Sequence, residues 1–119
     1  MADRVLTWYI AGVLSIKEAH TNVREEYVLD ADYVPVGWRM RQKVAQAGDA
    51  TIVDINDDGV SIFSLRPAIN QGILDSEGVA FLSTLTVMEE GSVITLDIDQ
   101  VSGTTPGSDL TVHLELDKA

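Results

Sequence analysis

The chain has 119 residues, no cysteine, and a formal charge of −11 from 19 acidic and 8 basic side chains. One domain spanning residues 1–119 can remove roughly two-thirds of its unfolded surface from water, so its core needs neither a disulfide nor a metal. The carboxylate excess repels a phosphate backbone and argues against nucleic-acid binding, the apolar runs are too short and interrupted for a membrane span, and Asp3 and Arg4 stand where an export signal would turn apolar.

Val5–Ile10 (VLTWYI) is rich in β-formers and predicts a first strand that ends at Ala11-Gly12. Trp8 and Tyr9 are adjacent, so on a strand one of them points away from the core. Ser15–Glu26 carries a thin apolar stripe of Ile16, Ala19 and Val23, with Thr21 and Asn22 favouring a turn; it reads as an extended arm or loop, so residues 1–26 comprise a strand and an N-terminal arm. Tyr27–Leu29 predicts a short strand and Asp30–Asp32 a turn. Tyr33–Val44 predicts a longer strand that starts late, bulges or lies at an edge, because Pro35 cannot donate to a ladder and Gly37 weakens it.

Residues 45–50 form a connection, followed by a tight hairpin: Ile52–Ile55 leads in, Asn56-Asp57-Asp58-Gly59 turns, and Val60–Phe63 leads out. Pro67, Gly72 and Gly78 punctuate residues 65–80, and Phe81–Val87 predicts a strand closed by a turn at Met88–Gly91. Val93–Leu116 reads as a second hairpin-like stretch. Ile94, Leu96 and Ile98 alternate with Thr95, Asp97 and Asp99, and Leu110, Val112, Leu114 and Leu116 alternate with Thr111, His113 and Glu115. Each arm thus has one apolar and one polar face, joined by the exposed polar loop Ser102–Ser108. About eight short strands with regular polar connections predict an all-β, antiparallel β-sandwich of jelly-roll type.

Chemistry-bearing patterns are sparse. Asp54-x-Asn56-x-Asp58-Gly59 matches the first half of an EF-hand loop, but Leu65 stands where the twelfth-position glutamate belongs, and the flanks have strand periodicity; a plain turn accounts for these residues, with weak calcium binding as the other reading. Asp97 and Asp99 share a strand face about 7 Å apart, a spacing open to a carboxylate-pair hydrolase and equally to a solvated face. His20 and His113 lack a nucleophile in an elbow setting, and no catalytic residue, metal ligand or cofactor site is assigned. The chain is expected not to be an enzyme.

Two surface features remain. Arg39, Arg41 and Lys43 occupy alternate positions and hence one strand face, either as a solvated or edge-protecting row or as a basic stripe for an acidic neighbour. Trp8, Tyr9, Tyr33 and Trp38 suit core or subunit packing, or stacking on sugar rings.

Leu6-Thr7-Trp8-Tyr9-Ile10, Val53-Asp54-Ile55-Asn56-x-x-Gly59-x-Ser61-Ile62-Phe63, Arg66-Pro67-Ala68-Ile69, Leu96–Val101 and Pro106–Val112 resemble segments of small virion proteins of tailed bacteriophages. That group includes capsid decoration (cement) proteins and jelly-roll modules of head or tail fibres. The resemblance spans Leu6 to Leu116, is weakest over Ser15–Glu26, and rests on strand and turn signatures. It implies a homotrimer on the outer capsid surface of the virion that bridges major capsid protein subunits. On that reading the subunit contact falls at Leu6, Trp8, Tyr9 and Ile10, and the capsid contact at Arg39, Arg41 and Lys43, aided by Arg4. The alternative it implies is a fibre module that binds a host receptor or glycan. The chain lacks the heptads or Gly-x-y triplets of a fibre shaft, which favours decoration.

Overall fold

The computed structural model describes residues 2–14 and 25–119. Among these residues nine strands follow in order: β1 (Arg4–Val13), β2 (Tyr27–Val28), β3 (Tyr33–Val44), β4 (Thr51–Asp57), β5 (Val60–Ser61), β6 (Ala68–Ile69), β7 (Asp75–Gly78), β8 (Val93–Gln100) and β9 (Ser108–Lys118). They form two antiparallel sheets, ordered β1-β9-β3-β7 and β2-β8-β4-β5, with β6 also pairing β4. The chain crosses repeatedly between the sheets, and this strand order is that of a jelly roll.

Period-two alternation builds the core. Leu6, Trp8, Trp38, Met40, Leu110, Val112, Leu114 and Leu116 point inward from the first sheet and meet Val53, Ile55, Ile94, Leu96 and Ile98 of the second; all are buried. Each such aliphatic side chain contributes about 1.5–3 kcal/mol by leaving water. The indole of Trp8 packs edge-on against Tyr27, ring centroids 5.2 Å apart, so the core extends to the seam between β1 and β2.

Several elements depart from expectation. The arms of Val93–Leu116 do not pair: β8 joins the second sheet and β9 the first, so their apolar faces meet across the core. Alternation fixes which face is buried but not which strand lies alongside. The first strand continues to Val13, because Ala11-Gly12 forms an irregularity between Ile10 and Val13 that bends the strand without ending it. Phe81–Val87 holds no strand; Phe81 makes a single bridge to Phe63, their rings stacked at 5.4 Å. Conversely, β6 and β7 lie where no strand was expected. The loop 102–108 is exposed at Gly103–Thr105, but Ser102 and Gly107 at its ends are buried.

The expected disturbance of β3 is an irregularity between Pro35 and Gly37. Although β3 is interior, β7 pairs only with Trp38–Arg41, so Pro35 needs no donor on that side. Asp58 (φ 49°) and Gly59 (φ 86°) both have positive φ and make a two-residue type I′ turn between β4 and β5, while Asn56 and Asp57 belong to β4. The arm expected over Ser15–Glu26 falls mostly outside the described residues, as does His20.

Candidate functional site

The outer face of the first sheet carries an ordered array of polar and charged side chains. Cross-strand register sets them in two rows. One row runs Thr7, His113, Arg39, Glu77 across β1, β9, β3 and β7; the next runs Tyr9, Thr111, Arg41, Asp75. Between them lies an open groove of about 540 Å³, lined by Arg39, Met40, Arg41, Asp75, Ser76, Glu77 and His113.

Arg39, Arg41 and Lys43 do share this face, as their alternation requires. The neighbouring strands bring carboxylates to them. Arg41 Nη1 donates to Asp75 Oδ2 at 2.8 Å, whereas Arg39 lies 4.0 Å from Glu77 and 3.8 Å from Glu115, too far for good hydrogen bonds. Lys43 lies past the end of β7 and has no carboxylate within 4 Å among the described residues. The row is therefore largely neutralised within its own sheet. His113 Nδ1 stands 2.9 Å from Thr7 Oγ1, which fixes the ring on β9.

Arg4 is not part of this face. It lies at the start of β1, where Nη1 donates to Asp30 Oδ1 at 2.7 Å and the guanidinium sits 5.8 Å from the Tyr33 ring centre. The Tyr33 hydroxyl also donates to Asp30 at 2.7 Å; this bond, helped by Arg4, holds the Asp30 carboxyl below the usual aspartate range.

The expected subunit contact also needs correction. Leu6 and Trp8 are wholly buried inside the sandwich and cannot meet a neighbour, and Ile10 is partly buried against the same core. Tyr9 is the exposed member of the Trp8–Tyr9 pair, at 48% exposure, with its hydroxyl 3.2 Å from Asp109 Oδ1. Tyr33 and Trp38 are core residues, which leaves Tyr9 as the exposed aromatic of the four.

On the outer face of the second sheet, Asp54 pairs directly opposite Asp97, with Asp99 two residues along β8. Ser61 Oγ donates to Asp54 at 2.6 Å, Asn56 Nδ2 to Asp97 at 2.8 Å and Arg66 Nη1 to Asp99 at 2.7 Å. Asp97 Oδ1 is shielded from solvent and has no hydrogen-bond partner among the described residues. Partial burial, reinforced by repulsion from Asp99, pushes the Asp54 and Asp97 carboxyls above the usual range. Asp58, the third ligand position of the half EF-hand, accepts from the Val93 amide at 2.9 Å and so pins the turn to β8. Among the described residues no three His, Asp or Glu side chains are grouped to hold a metal ion, and no helix is long and apolar enough to cross a membrane.

The acidic half of the groove escaped the sequence reading. Asp75-Ser76-Glu77 does alternate with period two, and its boundaries at Gly72 and Gly78 were visible, but three polar residues without an apolar partner face carry little strand signal. No family model matches the chain, and no curated protein matches it.

Proposed function

We propose that the chain is a decoration (cement) protein of a tailed-bacteriophage capsid, binding the outer shell as a homotrimer and tying major capsid protein subunits together. The observation that carries this reading is the strand order, a jelly roll of the kind that recurs in viral shells. A −11 surface suits a position outside the shell, away from the packaged genome. Binding is stoichiometric, and symmetric repetition multiplies a modest energy per contact. With Leu6 and Trp8 in the core, the subunit contact passes to the exposed apolar side chains of β1, Val5, Tyr9 and Val13. The cations on the capsid-facing side are Arg39, Arg41 and above all Lys43, the one whose charge its own sheet leaves unpaired among the described residues.

The test is light scattering for the solution mass, followed by pelleting with undecorated capsids of the phage that encodes the chain. A trimer that saturates the shell is the expected result. Lys43→Glu should weaken pelleting without lowering the melting temperature, and Arg39→Glu/Arg41→Glu/Lys43→Glu should abolish it. Unchanged pelleting by both variants would remove the basic row from the capsid contact.

A second reading, a head- or tail-fibre module that engages a host receptor or glycan, is favoured by the polar groove beside Arg39 and His113. Such a module would bind cells or glycans and ignore capsids.

A further inference from the structure

We infer that the groove between β3, β7 and β9 binds a neutral, polyhydroxylated ligand, a short carbohydrate; the inference rests on the second reading, in which this face is turned away from a shell. At about 540 Å³ it falls within the range of about 300–1,000 Å³ in which small-molecule sites lie. Its chemistry selects the ligand class. Arg39 is held between Glu77 at 4.0 Å and Glu115 at 3.8 Å, so most of its guanidinium donors are unspent. His113 commits Nδ1 to Thr7 at 2.9 Å, leaving Nε2 as the ring nitrogen for a ligand. Arg41 uses Nη1 on Asp75 Oδ2, so the other oxygen of Asp75 and both oxygens of Glu77 stay available as acceptors.

Donors and acceptors therefore alternate across neighbouring strands about 4.8 Å apart. A hydroxyl group both donates and accepts, so a run of adjacent hydroxyls can use both kinds of wall at once. Charge disfavours the other classes. Two guanidiniums, Arg39 and Arg41, face three carboxylates, Asp75, Glu77 and Glu115, on a chain of −11, so an anion gains no net attraction. A cation gains long-range attraction from that balance, but Asp75 is already hydrogen-bonded to Arg41, and Glu77 and Glu115 already flank Arg39. A neutral ligand needs no charge partner and exchanges its bound water for directed hydrogen bonds.

The experiment is a two-dimensional amide NMR titration of the intact protein with neutral trisaccharides (maltotriose, cellotriose, mannotriose), with trigalacturonic acid as the anionic comparison. At least one neutral sugar should shift Arg39, Arg41, Ser76, Glu77 and His113 amides saturably, with Kd of about 1 mM. Arg39→Ala and Glu77→Gln replace exposed side chains and should each weaken that binding about tenfold, the expected loss for one hydrogen bond to a charged group, with the spectrum otherwise intact. The inference is overturned if no neutral sugar shifts these amides, if the shifts map to another face, if both variants bind as well as the parent, or if the anionic sugar binds more tightly.

Discussion

The hydroxyl of Tyr27 closes on the backbone of Thr7 from both sides: it donates to the Thr7 carbonyl and accepts from the Thr7 amide at 3.3 Å. Thr7 pairs β9 on its other side, so this contact lies on the outer edge of β1, where an unpaired strand would invite another strand. The same residue lays its ring against Trp8, and the Trp8 indole donates to the Glu25 carbonyl at 2.7 Å. One tyrosine thereby bridges the two sheets and covers an edge.

Tyr27→Phe keeps the ring and removes both bonds. It should cost about 1–3 kcal/mol, the usual loss for leaving part-buried polar groups without their partners, and should increase self-association through β1. Chemical denaturation gives the first quantity and light scattering at rising concentration the second. An unchanged stability would mean that water replaces the hydroxyl at no loss.

A second lock closes the far end of the sandwich. Gln42 and Gln46 are buried; Gln42 Nε2 donates to Gln46 Oε1 and, at 3.1 Å, to the Ile73 carbonyl, while Gln46 Nε2 donates to the Ile69 carbonyl at 2.7 Å. This ties β3 to the β6–β7 connection. A Cβ on Gly107 would stand 2.1 Å from Gln42 Oε1 and 2.9 Å from the Val44 carbonyl. Gly107→Ala should therefore cost about 1–3 kcal/mol by overpacking, and less in a Gln42→Ala background, where half the collision is gone. Equal costs in both backgrounds, read from a double-mutant denaturation cycle, would contradict the contact.

Stability should rise on mild acidification. Burial raises Asp54, Asp57 and Asp97 above their ordinary 3.8, and like charges add to it. For a raised carboxyl the folded state takes up its proton first, so its stabilising contribution is present at low pH and is lost as pH climbs through the raised value. Asp30 is lowered and acts in the opposite sense, weakening the fold only below 3.8. The melting temperature should thus climb between pH 7 and about pH 4. Asp97→Asn, which keeps an acceptor for Asn56 and removes the repulsion with Asp54, should raise it by a few degrees at pH 7 and flatten the climb. A lower melting temperature at pH 7 would show that the Asp97 charge stabilises the fold.

Much of the architecture was legible because period-two alternation survives wherever one face is buried. Tyr33–Val44 carries its bounds in the sequence, with Pro35 and Gly37 marking the irregularity. Gln42 lies on the inward side of β3 with Trp38 and Met40, opposite Arg39, Arg41 and Lys43. Partner choice was not legible. The alternation in β8 and β9 is the same whether they form a hairpin or face each other across a core. The short strands β6 and β7 are set by long-range pairing with β4 and β3, which local propensity does not encode. The groove was half visible, since its cations lie on a strongly patterned strand and its carboxylates on one with no apolar face.

The central claim is decoration of a capsid, and the most direct measurement is a difference map between electron cryo-microscopy reconstructions of undecorated phage capsids with and without added protein. The account predicts three copies of a jelly roll on three-fold or quasi-three-fold positions, each bridging adjacent major capsid subunits, with Lys43 facing the shell. A map with no added density at saturating protein, or with density at the portal or tail alone, would contradict it.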